Sequence, residues 1–238
     1  MFRYTIAILL SFYFCSVAVR AEMREFELPD GRTLEADIVD YNPSQGEVTL
    51  KRADGKKIPI KPGIFVEKDQ VYIREWIAGQ DFLSDKILSI KIEKNRIDSS
   101  TSGSSMRSKN ELFVYDITVA NRGRKTIGCR AEYRIYCLQW SVDPDRVNNR
   151  LYMRTKGALP GAFERIDIEA GTERNLQTES ITISQVEREY PGKMEDELYG
   201  IWLRFYYMQS NGTELVRDLC LPENISSKHA WDEKSVSW

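Results

Sequence analysis

Histidine is almost missing. The 238-residue chain has one, His229, set in a polar stretch with Ser227, Lys228 and Trp231. A Ser-His-Asp or Cys-His pair would have to be built on that side chain, and its surroundings predict an exposed tail residue instead. Cysteine is scarce, four in all, with no CxxC or HxH spacing of the kind a structural zinc site uses. HExxH, the P-loop and a glycine-rich dinucleotide turn after a strand are also missing. Gly63, Gly79 and Gly128 stand alone and read as turns. Neither sign of charge dominates: 34 Lys and Arg stand against 36 Asp and Glu, interspersed, for a net charge of −2. Such a balance argues against a dedicated nucleic-acid binder. No second copy of any block is visible, so the chain does not read as a repeat array.

The one long apolar run lies at the front. Met1-Phe2-Arg3 precedes an apolar stretch from Ile6 to Val19, which ends in Val19-Arg20-Ala21. A basic start, a short apolar centre and a small residue before the cut predict a removable signal peptide over residues 1–21. The run is short for a membrane span, and no later stretch reaches the required length. The expectation is a protein exported to the periplasm or the extracellular space, with no membrane span after the signal is removed. Removal takes Arg3 and Arg20 and no acid, so the mature charge is 32 − 36 = −4. Cys129, Cys137 and Cys220 remain, an odd number. Cys129 and Cys137 fall in one strand-like run, too far apart for a bridge if the strand is straight. A bridge from Cys220 to either stays open.

Residues 22–80 form a first block. Phe26-Glu27-Leu28 leads into the turn signal Pro29-Asp30-Gly31, and Thr33 to Val39 alternates, with Leu34, Ala36 and Ile38 on one face. Glu47 to Arg52 and Lys56 to Ile60 flank Ala53-Asp54-Gly55, a hairpin signal. From Asp69 the period changes: Val71, Tyr72, Trp76 and Ile73 recur at helical spacing, with Trp76 expected in the core. The pattern predicts a small bent β-barrel closed by one short helix.

The runs Arg24-Glu25-Phe26, Asp30-Gly31-Arg32, Glu35-Ala36, Val48-Thr49-Leu50, Ala53-Asp54-Gly55-Lys56, Ile60, Asp69-Gln70-Val71-Tyr72-Ile73 and Trp76 resemble, in order and spacing, the SLA homology domain family. The resemblance covers the first block only and implies an SH3-like barrel. The founding member is a domain of a fungal endocytic adaptor, and related copies occur in exported bacterial proteins. The fungal domain reads Asn-Pro-Phe-x-Asp peptides, with basic residues receiving the ligand aspartate. The matching positions are Arg52 and Lys57, the candidate peptide-binding residues. A guanidinium can hold a carboxylate through two parallel hydrogen bonds.

Residues 81–226 form a second block of alternating runs. Ile87 to Ile92 reads as a strand; Asp98 to Asn110, rich in Ser, Thr and Gly, reads as a mobile loop joining two strands of one sheet. Leu112 to Asn121 places Phe113, Tyr115, Ile117 and Val119 on one face. Ile127 to Trp140 sets Ala131, Tyr133 and Ile135 against Glu132, Arg134 and Tyr136. Runs at 166–168, 180–183, 201–207 and 214–221 complete a pattern of regularly spaced strands, which predicts a β-sandwich. Tyr115-Asp116-Ile117-Thr118-Val119-Ala120-Asn121-Arg122 and Ala131-Glu132-Tyr133-Arg134-Ile135 resemble the immunoglobulin-like domain that accompanies this barrel in exported bacterial proteins. Residues 227–238 read as a polar tail.

Other constellations have ready structural explanations. Glu195-Asp196-Glu197 is the densest acidic run, and two acids suffice for glycoside hydrolysis, yet a loop run of acids is usually solvated. Glu132, on a strand face beside Arg130 and Arg134, reads as making cross-strand charge pairs. Asp143-Pro144-Asp145 lacks the further oxygens of a calcium loop. Asn211-Gly212-Thr213 and Asn224-Ile225-Ser226 match the glycosylation pattern, which matters only in a eukaryotic secretory host. Trp202, Arg204 and Tyr206 share one strand face opposite Ile201, Leu203 and Phe205, and that face could stack on a sugar or pack against the barrel. The expected protein is an exported all-β adaptor without enzymatic activity, cofactor or metal. Its expected partner is a protein or peptide in the cell envelope. The alternative is carbohydrate or cell-wall binding through the sandwich aromatics; an enzyme with an acid pair ranks last.

Overall fold

The computed structural model describes residues 23–103, 107–142, 152–187 and 193–233. The described chain is all-β in character, made of antiparallel sheets with one substantial helix. It divides between Ile73 and Arg74 into two compact units.

The first unit holds β1 (Arg24–Glu27), β2 (Thr33–Asn42), β3 (Glu47–Arg52) and β4 (Lys57–Ile60), followed by a 3-10 turn at Pro62–Ile64 and the start of α1 (Glu67–Leu83). The strands form an antiparallel meander in the order β1-β2-β3-β4, and the sheet does not close on itself. A register shift between Ile38 and Asp40 bends β2. Alternation sets the inner face: Phe26, Ala36, Ile38, Val48 and Leu50 are buried. Phe65 packs beside Phe26, ring centroids 5.3 Å apart and planes tilted by 42°.

The helix reaches this core through Asp69 and Ile73, four residues apart and both fully buried. The sequence reading placed Val71 and Trp76 on the inward face. Val71 is 39 % exposed, and Trp76 is half-buried and falls in the second unit. The helix starts at Glu67, which turns the Asp69–Ile73 row inward and Val71 outward. Asp69 is there to accept hydrogen bonds: Arg24 Nη2 at 2.9 Å and the Glu27 backbone N–H at 2.8 Å. Its carboxylate also lies in the first turn, where the helix dipole favours negative charge.

The second unit has two sheets. One orders β5 (Leu88–Ser102), β6 (Arg107–Asn121), β10 (Ile181–Glu187) and β11 (Lys193–Glu195) as β11-β10-β6-β5, with β9 (Glu173–Gln177) also on β6. The other orders β7 (Ile127–Val142), β8 (Tyr152–Ile168), β12 (Glu197–Met208) and β13 (Glu214–Leu221) as β13-β12-β7-β8. Alternate residues of both meet in one core: Tyr115, Ile117 and Val119 from β6, Tyr133 and Ile135 from β7, Ile201, Leu203 and Phe205 from β12. Phe82, from the last turn of α1, joins them and stacks on Tyr207 at 5.4 Å.

Two expectations are corrected here. The Ser/Thr-rich stretch is mostly strand, not loop: β5 and β6 pair as far as Ser102↔Ser108. Its hydroxyls support the ladder, Ser102 Oγ lying 2.7 Å from Ser108 Oγ; residues 104–106 lie outside the described residues. The tail beyond residue 226 is not simply polar and exposed. A one-turn helix, α2 (Ile225–Lys228), brings His229 under cover at 8 % exposure, against Tyr136 with ring centroids 4.4 Å apart. Tyr136 is the reason: it is fully buried on the outer face of its sheet, donates its hydroxyl to the Ala230 carbonyl at 2.9 Å, and needs a cover. The expected signal peptide, residues 1–21, and Asp143-Pro144-Asp145, discounted as a calcium loop, lie outside the described residues.

Replacing Asp69 by Ala strands the Glu27 N–H and the Arg24 guanidinium. The expected cost is about 3 kcal/mol, read as a lower urea midpoint at unchanged m-value.

Candidate functional site

The β3–β4 hairpin carries the two candidate peptide-binding residues. Its loop has three residues, Ala53, Asp54 and Gly55. The Gly55 N–H donates to the Arg52 carbonyl at 2.9 Å, and the Arg52 N–H donates to the Lys56 carbonyl at 3.0 Å. Gly55 sits at φ +81°, which a side chain would resist. The Asp54 carboxylate steadies the turn by accepting the Lys56 N–H at 3.0 Å.

That loop length decides which side chains meet. A two-residue Asp-Gly turn would set Arg52 opposite Lys57. The three-residue loop sets Lys51 opposite Lys57 instead. Successive residues point to opposite faces, so Arg52 follows the inner row of Val48 and Leu50 while Lys57 points outward with Lys51. The two cations therefore do not converge on one carboxylate. Arg52 leans toward Asp54 at the tip, 3.5 Å away, with 43 % of its side chain exposed. Lys51 was missed; the signal for it was the register, which one loop residue shifts.

Of the acidic run 195–197, expected to be solvated, Glu195 and Glu197 are exposed but Asp196 is buried and holds backbone. Asp196 is 8 % exposed and accepts the backbone N–H groups of Trp140 and Ser184, each at 2.9 Å. It thus ties β7 of one sheet to β10 of the other. Glu197 pairs with Arg154 at 2.5 Å. Glu132 pairs with Arg130 of its own strand at 2.6 Å, where a cross-strand pair was expected, and it is Arg130 that reaches across to Glu214 at 3.0 Å.

The aromatic face that could stack on a sugar or pack against the barrel meets partners within its own unit. Arg130 lies over Tyr206 at 3.7 Å, and Arg204 over Trp231 at 4.4 Å. Trp231 meets Trp202 edge-on at 5.4 Å. Arg204 is further fixed by Asp218 through two hydrogen bonds, at 2.7 and 2.9 Å. Cation and ring alternate along the strands, with the segment after β13 supplying the outermost ring.

The three described thiols are unbridged. Cys137 faces the shared core and Cys220 the opposite face of the sheet, so the bridge left open by the sequence is not formed. Burial pushes Cys129 and Cys137 up to about 12. Burial also raises Cys220, against hydrogen bonds from Ser226 that lower it.

No family model matches the chain, and no curated protein matches it. Among solved structures it is similar to a structural-genomics target at 17 % identity, covering 58 % of this chain and 88 % of that one, TM-score 0.27. A protein described as ApaA from Bordetella pertussis is 9 % identical, with 56 % and 90 % covered and a TM-score of 0.27. The sporulation control protein Spo0M from Bacillus subtilis is 8 % identical, with 55 % and 47 % covered and a TM-score of 0.23. Likenesses of this size carry no argument about fold or function.

Asp196→Ala is expected to cost about 2–4 kcal/mol, because two backbone donors lose their acceptor. Glu197→Gln removes only an exposed pair, so it should change the urea midpoint by no more than about 1 kcal/mol. At pH 8 iodoacetamide should leave Cys129 and Cys137 unmodified in the folded protein and modify both after denaturation. Their raised values also set a sign for alkaline stability. Below the ordinary thiol value of 9.0 the folded state loses nothing, and stability falls as pH climbs from there toward 12, since the unfolded thiols ionise first.

Proposed function

We propose that this is an exported, non-enzymatic binding protein whose N-terminal unit recognises an extended acidic segment of a protein partner in the cell envelope. In this reading the first unit is an SLA-homology, SH3-like barrel and the second an immunoglobulin-like sandwich. The bulged, bending meander β1-β2-β3-β4 supports the first assignment, and two antiparallel sheets around one core support the second.

The observation that carries the function is charge segregation within the first unit. Residues 51–61 hold five cations and one acid, whereas residues 23–50 hold seven acids and two cations. A basic hairpin on an otherwise acidic protein steers acidic partners to one place. Lys57, with Lys51 directly across the ladder, presents two ammonium groups on the outer face. Arg52 supplies a guanidinium on the inner side of the tip. Lysines act here as point charges, and Arg52 can take a carboxylate in parallel hydrogen bonds. The outer row is the main anchor, since Arg52 already has Asp54 beside it.

The test is capture of envelope proteins on immobilised mature protein at low and raised salt, with Lys57→Glu, Arg52→Glu and the double variant alongside. Both positions are surface-exposed enough for the variants to fold. Lys57→Glu should weaken capture about tenfold and Arg52→Glu about two- to fivefold, with salt weakening the unmodified protein in the same direction. A partner retained equally by the double variant would remove the hairpin from the binding site.

A further inference from the structure

The two sheets of the second unit leave one side of their shared core open. β5 is the outermost strand of one sheet and β13 of the other, and a cleft of about 530 Å³ lies between them. Ile90 and Ile92 line it from β5, Leu219 and Leu221 from β13, all four only partly buried against the core. One end is closed by Arg217, 9 % exposed, whose Nη1 donates to the carbonyls of Phe82 at 3.2 Å and Leu88 at 2.7 Å. The cleft is acidic: Asp85, Asp218 and Glu223 line it against the single cation Arg217. Arg217 is engaged with Asp85, and Asp218 with Arg204.

We infer that this cleft accepts an extended segment of another protein, alternating apolar and basic residues, which adds as a strand to the edge of β13 that no described strand pairs. An edge strand offers an unpaired row of backbone N–H and C=O groups, and main-chain pairing gives a docking peptide its affinity. The period of the strand then fixes the chemistry of the occupant. Along β13, Leu219 and Leu221 point into the cleft while Asp218 points outward. A strand laid beside it would send every second side chain into the apolar slot between Leu219, Leu221 and Ile90, Ile92. The intervening side chains would stand next to Asp218 and near Glu223. Apolar inward and cationic outward is the pattern that meets both rows. Arg217 and Arg204 already meet Asp85 and Asp218, so among the described lining acids it is Glu223 that turns the cleft against an acidic strand. This site and the basic hairpin therefore select partners of opposite charge.

The probe is a fluorescein-labelled seven-residue peptide alternating Val and Lys, with a Val/Glu peptide of equal length as comparator. Binding to the mature protein is read by anisotropy and the contact strand by backbone hydrogen exchange. The Val/Lys peptide should bind, and should slow exchange within Glu214–Leu221. Glu223→Lys, an exposed position that leaves the fold intact, should weaken it about two- to fivefold. The inference is overturned if the Val/Lys peptide does not bind, if the Val/Glu peptide binds equally well, if protection falls on other strands, or if Glu223→Lys changes nothing.

Discussion

One buried guanidinium fixes how the second unit is closed. Arg217 comes from the inner face of an edge strand, where the alternation calls for an apolar residue, and it reaches the last turn of α1, the first residue of β5 and the Asp85 side chain between them. Burial pulls its proton affinity down, and the Asp85 charge opposes that. A charge so placed is tolerated only because two carbonyls and a carboxylate receive its donors. In return it sets where β13 stands against β5. The width of the open side, and so the cleft between the two edges, follows from that single anchor.

Asp69 and Asp196 work in the same way from the opposite sign. Each is a carboxylate withdrawn from water that accepts backbone N–H groups from distant elements. In each unit the apolar core is non-directional and could slide, whereas these three charged side chains specify which backbone meets which. Asp196, one residue of an acidic run, in this way holds two sheets together.

Much of the fold was legible because most of it is alternation. A face that reads Tyr115, Ile117, Val119 or Ile201, Leu203, Phe205 has only one way to meet water-free neighbours, and both rows are core. What failed was whatever depended on one residue of register or on a partner far along the chain. Ala53 joining Asp54 and Gly55 in the loop moved Lys57 to the other face from Arg52, and no periodicity announces that shift. The Ser-rich stretch has loop composition but strand hydrogen bonding, because its hydroxyls can serve either. His229 looked exposed because its neighbours in sequence are polar; its neighbours in space are Tyr136 and Tyr199. Tyr136 itself, an aromatic in an otherwise charged row, was the visible clue that something covers that face.

The cover over that face arrives late. The hydroxyl of Tyr136 waits for a carbonyl 94 residues further on, after every strand of both sheets has been made. Until α2 and the residues after it are present, the sheet shows Tyr136, Tyr199 and Trp202 to its surroundings. A molecule in which β7 and β12 have paired but residues 225–231 have not docked thus carries an exposed aromatic face. The face is sealed by residues that belong to neither of its strands, and removing them would uncover three rings at once.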